Sequence, residues 1–111
     1  EHSLSAIYNV PHGAGLAVVL PAWLKWFYEN TKSPQAERFA KKIFSQSSAE
    51  DGINAFKKWL QKIGAPVTLK ELGIDKKNIE KIVENIIKVA PKWGLENVYK
   101  TRTVNEILNL A

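Results

Sequence analysis

The chain has 111 residues, 45% of them hydrophobic and 24% charged, the size and composition of one soluble globular domain. Cysteine is absent, which excludes disulfides and thiolate-bound metal. The formal charge of +5 is carried by lysine pairs such as Lys41-Lys42, Lys57-Lys58 and Lys76-Lys77, with Glu37, Asp51, Glu80 and Glu84 interspersed and only Arg38 and Arg102 as arginines; this reads as solvated helix faces and not as a nucleic-acid surface.

Residues 1–8 read as the end of a helix, stopped by Asn9-Val10-Pro11, where proline lacks a donor and restricts the residue before it. A second helix is expected from His12 to about Tyr28, with Leu16, Leu20, Trp23 and Phe27 on one apolar face. Pro21 either kinks this helix or restarts it. The apolar run from Ala14 to Leu24 is too short for a bilayer, so no membrane span is expected. Ser33-Pro34 is an N-cap with proline at the first helical position, ahead of a stripe of Ala36, Phe39, Ala40 and Ile43. Ser48 and Asp51 resemble a capping box, ahead of Ile53, Phe56, Leu60 and Ile63. Gly64-Ala65-Pro66 stops that helix. Thr68 with Glu71 opens a short helix ended by Gly73. Asp75 caps the next, whose stripe is Ile79, Ile82, Val83 and Ile86, with Pro91 and Gly94 at its end. Thr103 with Glu106 opens a last short helix carrying Val104, Ile107 and Leu108. Nothing alternates at period two over a useful length. The expected fold is all-α: a single domain over residues 1–111, built as a bundle of five to seven helices.

Few residues offer chemistry. No serine has an adjacent base in a recognisable motif, and no phosphate-binding glycine fingerprint is present; Gly13-Ala14-Gly15 lacks a preceding strand and a third glycine. Trp23, Trp26 and Trp59 lie among apolar residues and read as core. Trp93, between proline and glycine, has no obvious place. His2 and His12 are the two histidines, ten positions apart with Pro11 between them. They do not share a helical face, and two imidazoles do not make a metal site. By spacing, a histidine beside a helix start is more often structural. Gly13 and Gly15 fit a turn that brings backbone close to another molecule, and equally a tight helix-packing turn.

The segment EHSLSAIYNVPHGAGLAVVLP, residues 1–21, resembles the signature region of the iron-containing (group III) alcohol dehydrogenases of the butanol dehydrogenase type. In that family a histidine is followed ten positions later by a histidine in a Pro-His-Gly turn, and then by small residues and a LAVVLP helix. GAPVTLKELGID, residues 64–75, is similar to a later turn and short helix of the family. VYKTRTVNEILNLA, residues 98–111, is similar to its end, where a short closing helix follows an extended segment. Residues 29–62 match in helical pattern more than in motif, so the resemblance covers essentially the whole chain.

The resemblance implies the C-terminal metal-binding domain of the dehydroquinate synthase-like, iron-containing alcohol dehydrogenase fold. An N-terminal domain of the same chain would hold NAD(P) through a glycine-rich phosphate turn. A divalent metal, iron or zinc, would lie in the cleft between domains, bound by one aspartate and three histidines. His12 matches the last metal histidine. His2 matches a histidine that does not bind metal but lies near nicotinamide and substrate, where a proton-relay role is proposed; it is thus the catalytic and cofactor-side candidate. The histidine four positions before His2, and the remaining two ligands, would lie upstream of Glu1. The implied activity is interconversion of small primary alcohols and aldehydes by hydride transfer, in the cytoplasm. Neither NAD against NADP nor oligomeric state is encoded here; the family's usual homodimer contacts lie largely in the other half. The 111 residues alone are expected to be inactive. Because initiator methionine is normally trimmed only before small residues, Glu1 is not expected to be a natural start. A start codon just before it would favour the alternative, a stand-alone helical interaction module without catalysis.

Overall fold

The computed structural model describes all residues, Glu1–Ala111. Six α-helices follow in order: α1 His2–Tyr8, α2 His12–Thr31, α3 Pro34–Phe44, α4 Ala49–Lys62, α5 Ile79–Val89 and α6 Thr101–Leu110. Short 3-10 turns at Lys70–Leu72, Lys76–Asn78 and Ala90–Trp93 join the later helices. No strand is present, so the expected all-α bundle is the observed one.

Several helix ends follow from local chemistry that the sequence displays. Ser33 accepts from the Gln35 amide ahead of α3, with Pro34 in the first turn. Ser48 accepts from the Asp51 amide at 3.1 Å ahead of α4. Thr68 and Glu71 form a reciprocal box: the Glu71 amide donates to Thr68 Oγ1 at 3.2 Å and the Thr68 amide to Glu71 Oε2 at 3.1 Å. The Val67 amide donates to the same Glu71 oxygen at 2.6 Å. Asp75 caps the turn leading into α5, accepting from the Lys77 amide at 3.0 Å. The stop after α1 is made at Asn9, whose amide still donates to the Ser5 carbonyl while its left-handed φ of 53° turns the chain out of the helix. Asparagine tolerates that conformation better than most residues.

Other expectations fail. The last helix starts at Thr101, so Thr103 and Glu106 lie inside it and form no opening box. A turn over residues 96–98 shortens the lead-in to this helix to Tyr99 and an extended Lys100. α2 continues through Pro21 to Thr31, past the expected end at Tyr28. Its buried residues are Gly15, Ala17, Val18, Pro21 and Ala22, whereas Leu16 and Leu20 are about two-fifths exposed. The reason is that α2 is apolar nearly all round. Periodicity then selects no face, and the small residues win because they let α4 and α6 come close. Ile43 and Ile63 are likewise exposed, although each continues an apolar stripe at a helix end, and Trp59, expected in the core, is exposed as well.

The main core joins α1, α2, α5, α6 and the 65–75 connection through Leu4, Val18, Leu69, Ile74, Ile82 and Leu108, all 2% exposed or less. A smaller cluster of Ala17, Leu60 and Val67 sits between α2 and α4. α3 and α4 form a hairpin in which Ala40 faces Gly52; a Cβ on Gly52 would lie 2.2 Å from the Ala40 Cβ. Two long-range hydrogen bonds tie α2 to the C-terminal part: Trp23 Nε1 donates to the Tyr99 hydroxyl and Trp26 Nε1 to Glu106, each at 3.0 Å. The Leu69 amide donates to the Ala111 carbonyl at 3.0 Å, securing the chain end. No helix is long and apolar enough to cross a membrane.

Candidate functional site

The site is built from residues of α1 and from the start of α2. Leu4 and the buried Val10 anchor α1 and the turn after it, and Pro11 sets the entry to α2. This reversal brings His2 and His12 together at the surface. The rings of His2 and His12 stack with centroids 5.4 Å apart and planes 20° from parallel. His2 also stacks on Trp93, centroids 6.4 Å apart and planes at 10°. Trp93 is delivered by the 3-10 turn Ala90–Trp93, which Gly94 ends at a φ of 67°. Both histidines are exposed; the His12 side chain is 59% accessible.

Beneath them lies a carboxylate. Glu1 Oε2 meets His12 Nδ1, and the Ser5 hydroxyl donates to Glu1 Oε1. The Glu1 side chain is only 5% exposed. Burial alone would raise its pKa; hydrogen bonding from Ser5 and His12 outweighs that and holds the carboxyl below its ordinary range. Ligand atoms of Glu1, His2 and His12 all lie within 4.8 Å of one another. Imidazole nitrogen suits iron or zinc better than it suits a hard-oxygen cation. The buried Glu1 Oε2 has no hydrogen-bond partner beyond the His12 contact. An exposed imidazole at this edge, His12, therefore fits a place in a divalent-metal centre of the kind that takes three or four protein ligands.

An apolar cavity of about 280 Å³ opens beside His2, lined in part by Leu4, Trp23, Ile86, Trp93 and Tyr99. The two glycines behind His12 turn out to differ. A Cβ on Gly15 would lie 2.8 Å from Glu1 Cγ and Oε1, so Gly15 is a packing glycine; a Cβ on Gly13 would meet nothing within 4 Å.

Thus the structure brings His2 and His12 together, and adds Glu1, Ser5 and Trp93, which the sequence reading did not assign to a site. Glu1 and Ser5 stand at helical i, i+4 spacing, which was a readable signal for their pairing. Trp93 had none, since its approach to His2 is a tertiary contact.

Residues 1–111 match the family described as Fe-containing alcohol dehydrogenase family, C-terminal. The probable NADH-dependent butanol dehydrogenase 2 of Bacillus subtilis is 26% identical over 107 residues, covering 90% of this chain and 27% of the relative. The NADH-dependent butanol dehydrogenase A of Clostridium acetobutylicum is 24% identical, over 79% of this chain and 24% of the relative. The crystal structure of NADH-dependent butanol dehydrogenase A from Thermotoga maritima superposes with a TM-score of 0.89 at 45% identity, over 99% of this chain and 31% of that one. The chain spans less than a third of the length of each. With the match running from the Glu1-His2 corner to the closing helix, the chain belongs to the Fe-containing alcohol dehydrogenase family, as its C-terminal domain.

Proposed function

We propose that this domain is the metal-side part of an NAD(P)-linked alcohol dehydrogenase that interconverts butanol-like primary alcohols and their aldehydes. The observation that carries the reading is the stacked pair His2–His12, ten positions apart on two helices, at an exposed edge with a buried carboxylate behind it. An exposed edge is where a second domain could close a cleft. Names of relatives that specify NADH- or NADPH-dependent butanol dehydrogenases support the cofactor and substrate class.

In this reading the nicotinamide domain and the other metal ligands are supplied by upstream residues of the whole enzyme. When bound, the divalent metal supplies Lewis acidity toward the alcohol or carbonyl oxygen, and the nicotinamide supplies or accepts the hydride. His12 is the ligand from this chain. His2 is not a ligand; it holds and passes the proton of the substrate hydroxyl toward solvent, a role its exposed ring allows. Trp93 stacks on His2 and limits its rotation. The apolar cavity beside His2 supports an alkyl substrate over a charged one.

The test is made in the whole enzyme. His2→Ala should keep the parent's metal content and lower kcat by roughly 10²–10⁴-fold, the usual worth of a positioned acid–base group. Loss of metal in His2→Ala, or an unchanged kcat, would remove the proton-relay assignment.

A further inference from the structure

A glutamate on a helix surface is ordinarily solvated and free to change rotamer. Glu1 is neither. Its carboxylate is held on one oxygen by the Ser5 hydroxyl, one helical turn along α1, and meets His12 Nδ1 of α2 with the other. The room it occupies exists because residue 15 has no side chain; a Cβ there would press on both Glu1 Cγ and Oε1 at 2.8 Å. Three features from two helices therefore converge on one buried carboxylate whose Oε2 faces only an imidazole.

An imidazole presents one donor and one acceptor when neutral, and the partner of one nitrogen decides which form is present. A carboxylate that accepts Nδ1–H leaves the lone pair on Nε2, fixes the ring's rotation, and makes Nε2 a better base. We propose that Glu1 is the positioning residue for His12: it accepts the Nδ1 proton, selects the tautomer, and aims Nε2 at the metal position, with Ser5 and Gly15 holding Glu1 in place. This rests on the reading of His12 as a ligand. Glu1 itself stays outside the ligand set, because Oε1 accepts from Ser5 and Oε2 is buried against His12.

The experiment compares the whole enzyme as parent, Glu1→Gln, Glu1→Ala and His12→Ala. After removal of metal, the dissociation constants for Fe²⁺ and Zn²⁺ are measured by competition with a chelator, alongside the unfolding midpoint of each metal-free protein. Loss of such a carboxylate typically costs about 10–100-fold in metal affinity. Glu1→Ala should fall toward the upper end and Glu1→Gln, nearly isosteric but a poorer acceptor, about tenfold. The Glu1→Gln midpoint should match the parent, which separates positioning from folding. Imidazole nitrogen shifts should report the Nδ1–H form of His12 in the metal-free parent and a mixture in Glu1→Ala. Parent-like metal affinity in a folded Glu1→Gln would overturn the proposal, and that variant carries the test if Glu1→Ala does not fold. If His12→Ala binds metal as the parent does, the reading of His12 fails instead.

Discussion

At Gly52 the missing side chain sets how closely α3 and α4 approach. A Cβ there would stand 2.2 Å from the Ala40 Cβ and 2.5 Å from its Cα, so backbone as well as side chain would have to yield. Alanine gains up to about 1 kcal/mol in helix propensity over glycine, while overpacking costs about 1–3 kcal/mol. With backbone in the way the clash should win. Gly52→Ala is expected to lower stability by at least ~1 kcal/mol in urea unfolding; an unchanged or raised midpoint would mean the hairpin has slack. Ile82, fully buried in the main core, should cost about 2–5 kcal/mol as alanine by the same measurement. The candidate site was only partly legible at this scale. The spacing of His2 and His12 does not say whether they meet; the resemblance of residues 1–21 to a known signature implied only that both belong to one site. Glu1 could be paired with Ser5 by helical spacing, but its burial depends on Gly15 of another helix, and Trp93 reaches His2 through tertiary packing alone.

At the scale of elements, the helices that the sequence marks well are those with side-chain caps or strongly one-sided faces. α3, α4 and α5 have both a readable start and a clear stripe; even there Ile43 and Ile63 are exposed, because a stripe says nothing about where the neighbouring helix ends. α2 misled because an all-round apolar helix offers no preferred face. α6 misled because a box-like pair three residues apart also occurs within a helix. The Thr68–Glu71 box has a pH consequence. Donation from the Val67 amide comes first among the causes that outweigh burial and hold the Glu71 carboxyl below its ordinary range. A carboxyl with a lower pKa folded than unfolded means the unfolded chain binds more protons on acidification. Its stabilisation is therefore complete above the ordinary carboxylate pKa of about 4.3 and is lost as pH falls through the lower folded value. Glu71→Gln should be less stable than the parent at neutral pH, and the gap between their unfolding midpoints should shrink in acid. A gap that stays constant with pH would mean the carboxylate charge contributes nothing to the cap.

At the scale of the molecule, the domain has its own core but also an unfinished surface. Leu16, Leu20, Trp59, Trp93 and Val98 are exposed, and the chain spans 31% of the Thermotoga maritima enzyme it superposes on. A domain of this kind is expected to fold from its own buried helices yet lack the partners its site requires. Residues 1–111 prepared alone should show helical circular dichroism and cooperative unfolding, with no alcohol-dependent NAD(P)H formation. Turnover by these residues alone would contradict the assignment of the remaining ligands and the nicotinamide site to upstream sequence.

The central claim is that His12 is this domain's metal ligand, and the metal-to-protein ratio of the whole enzyme measures it directly. Parent and His12→Ala would be purified identically and their iron and zinc determined by elemental analysis, with circular dichroism to establish that both are folded. His12→Ala, folded as the parent is, is expected to lose most of its metal. Equal metal in the two proteins would contradict it, and His12 would then be a structural residue at a helix start.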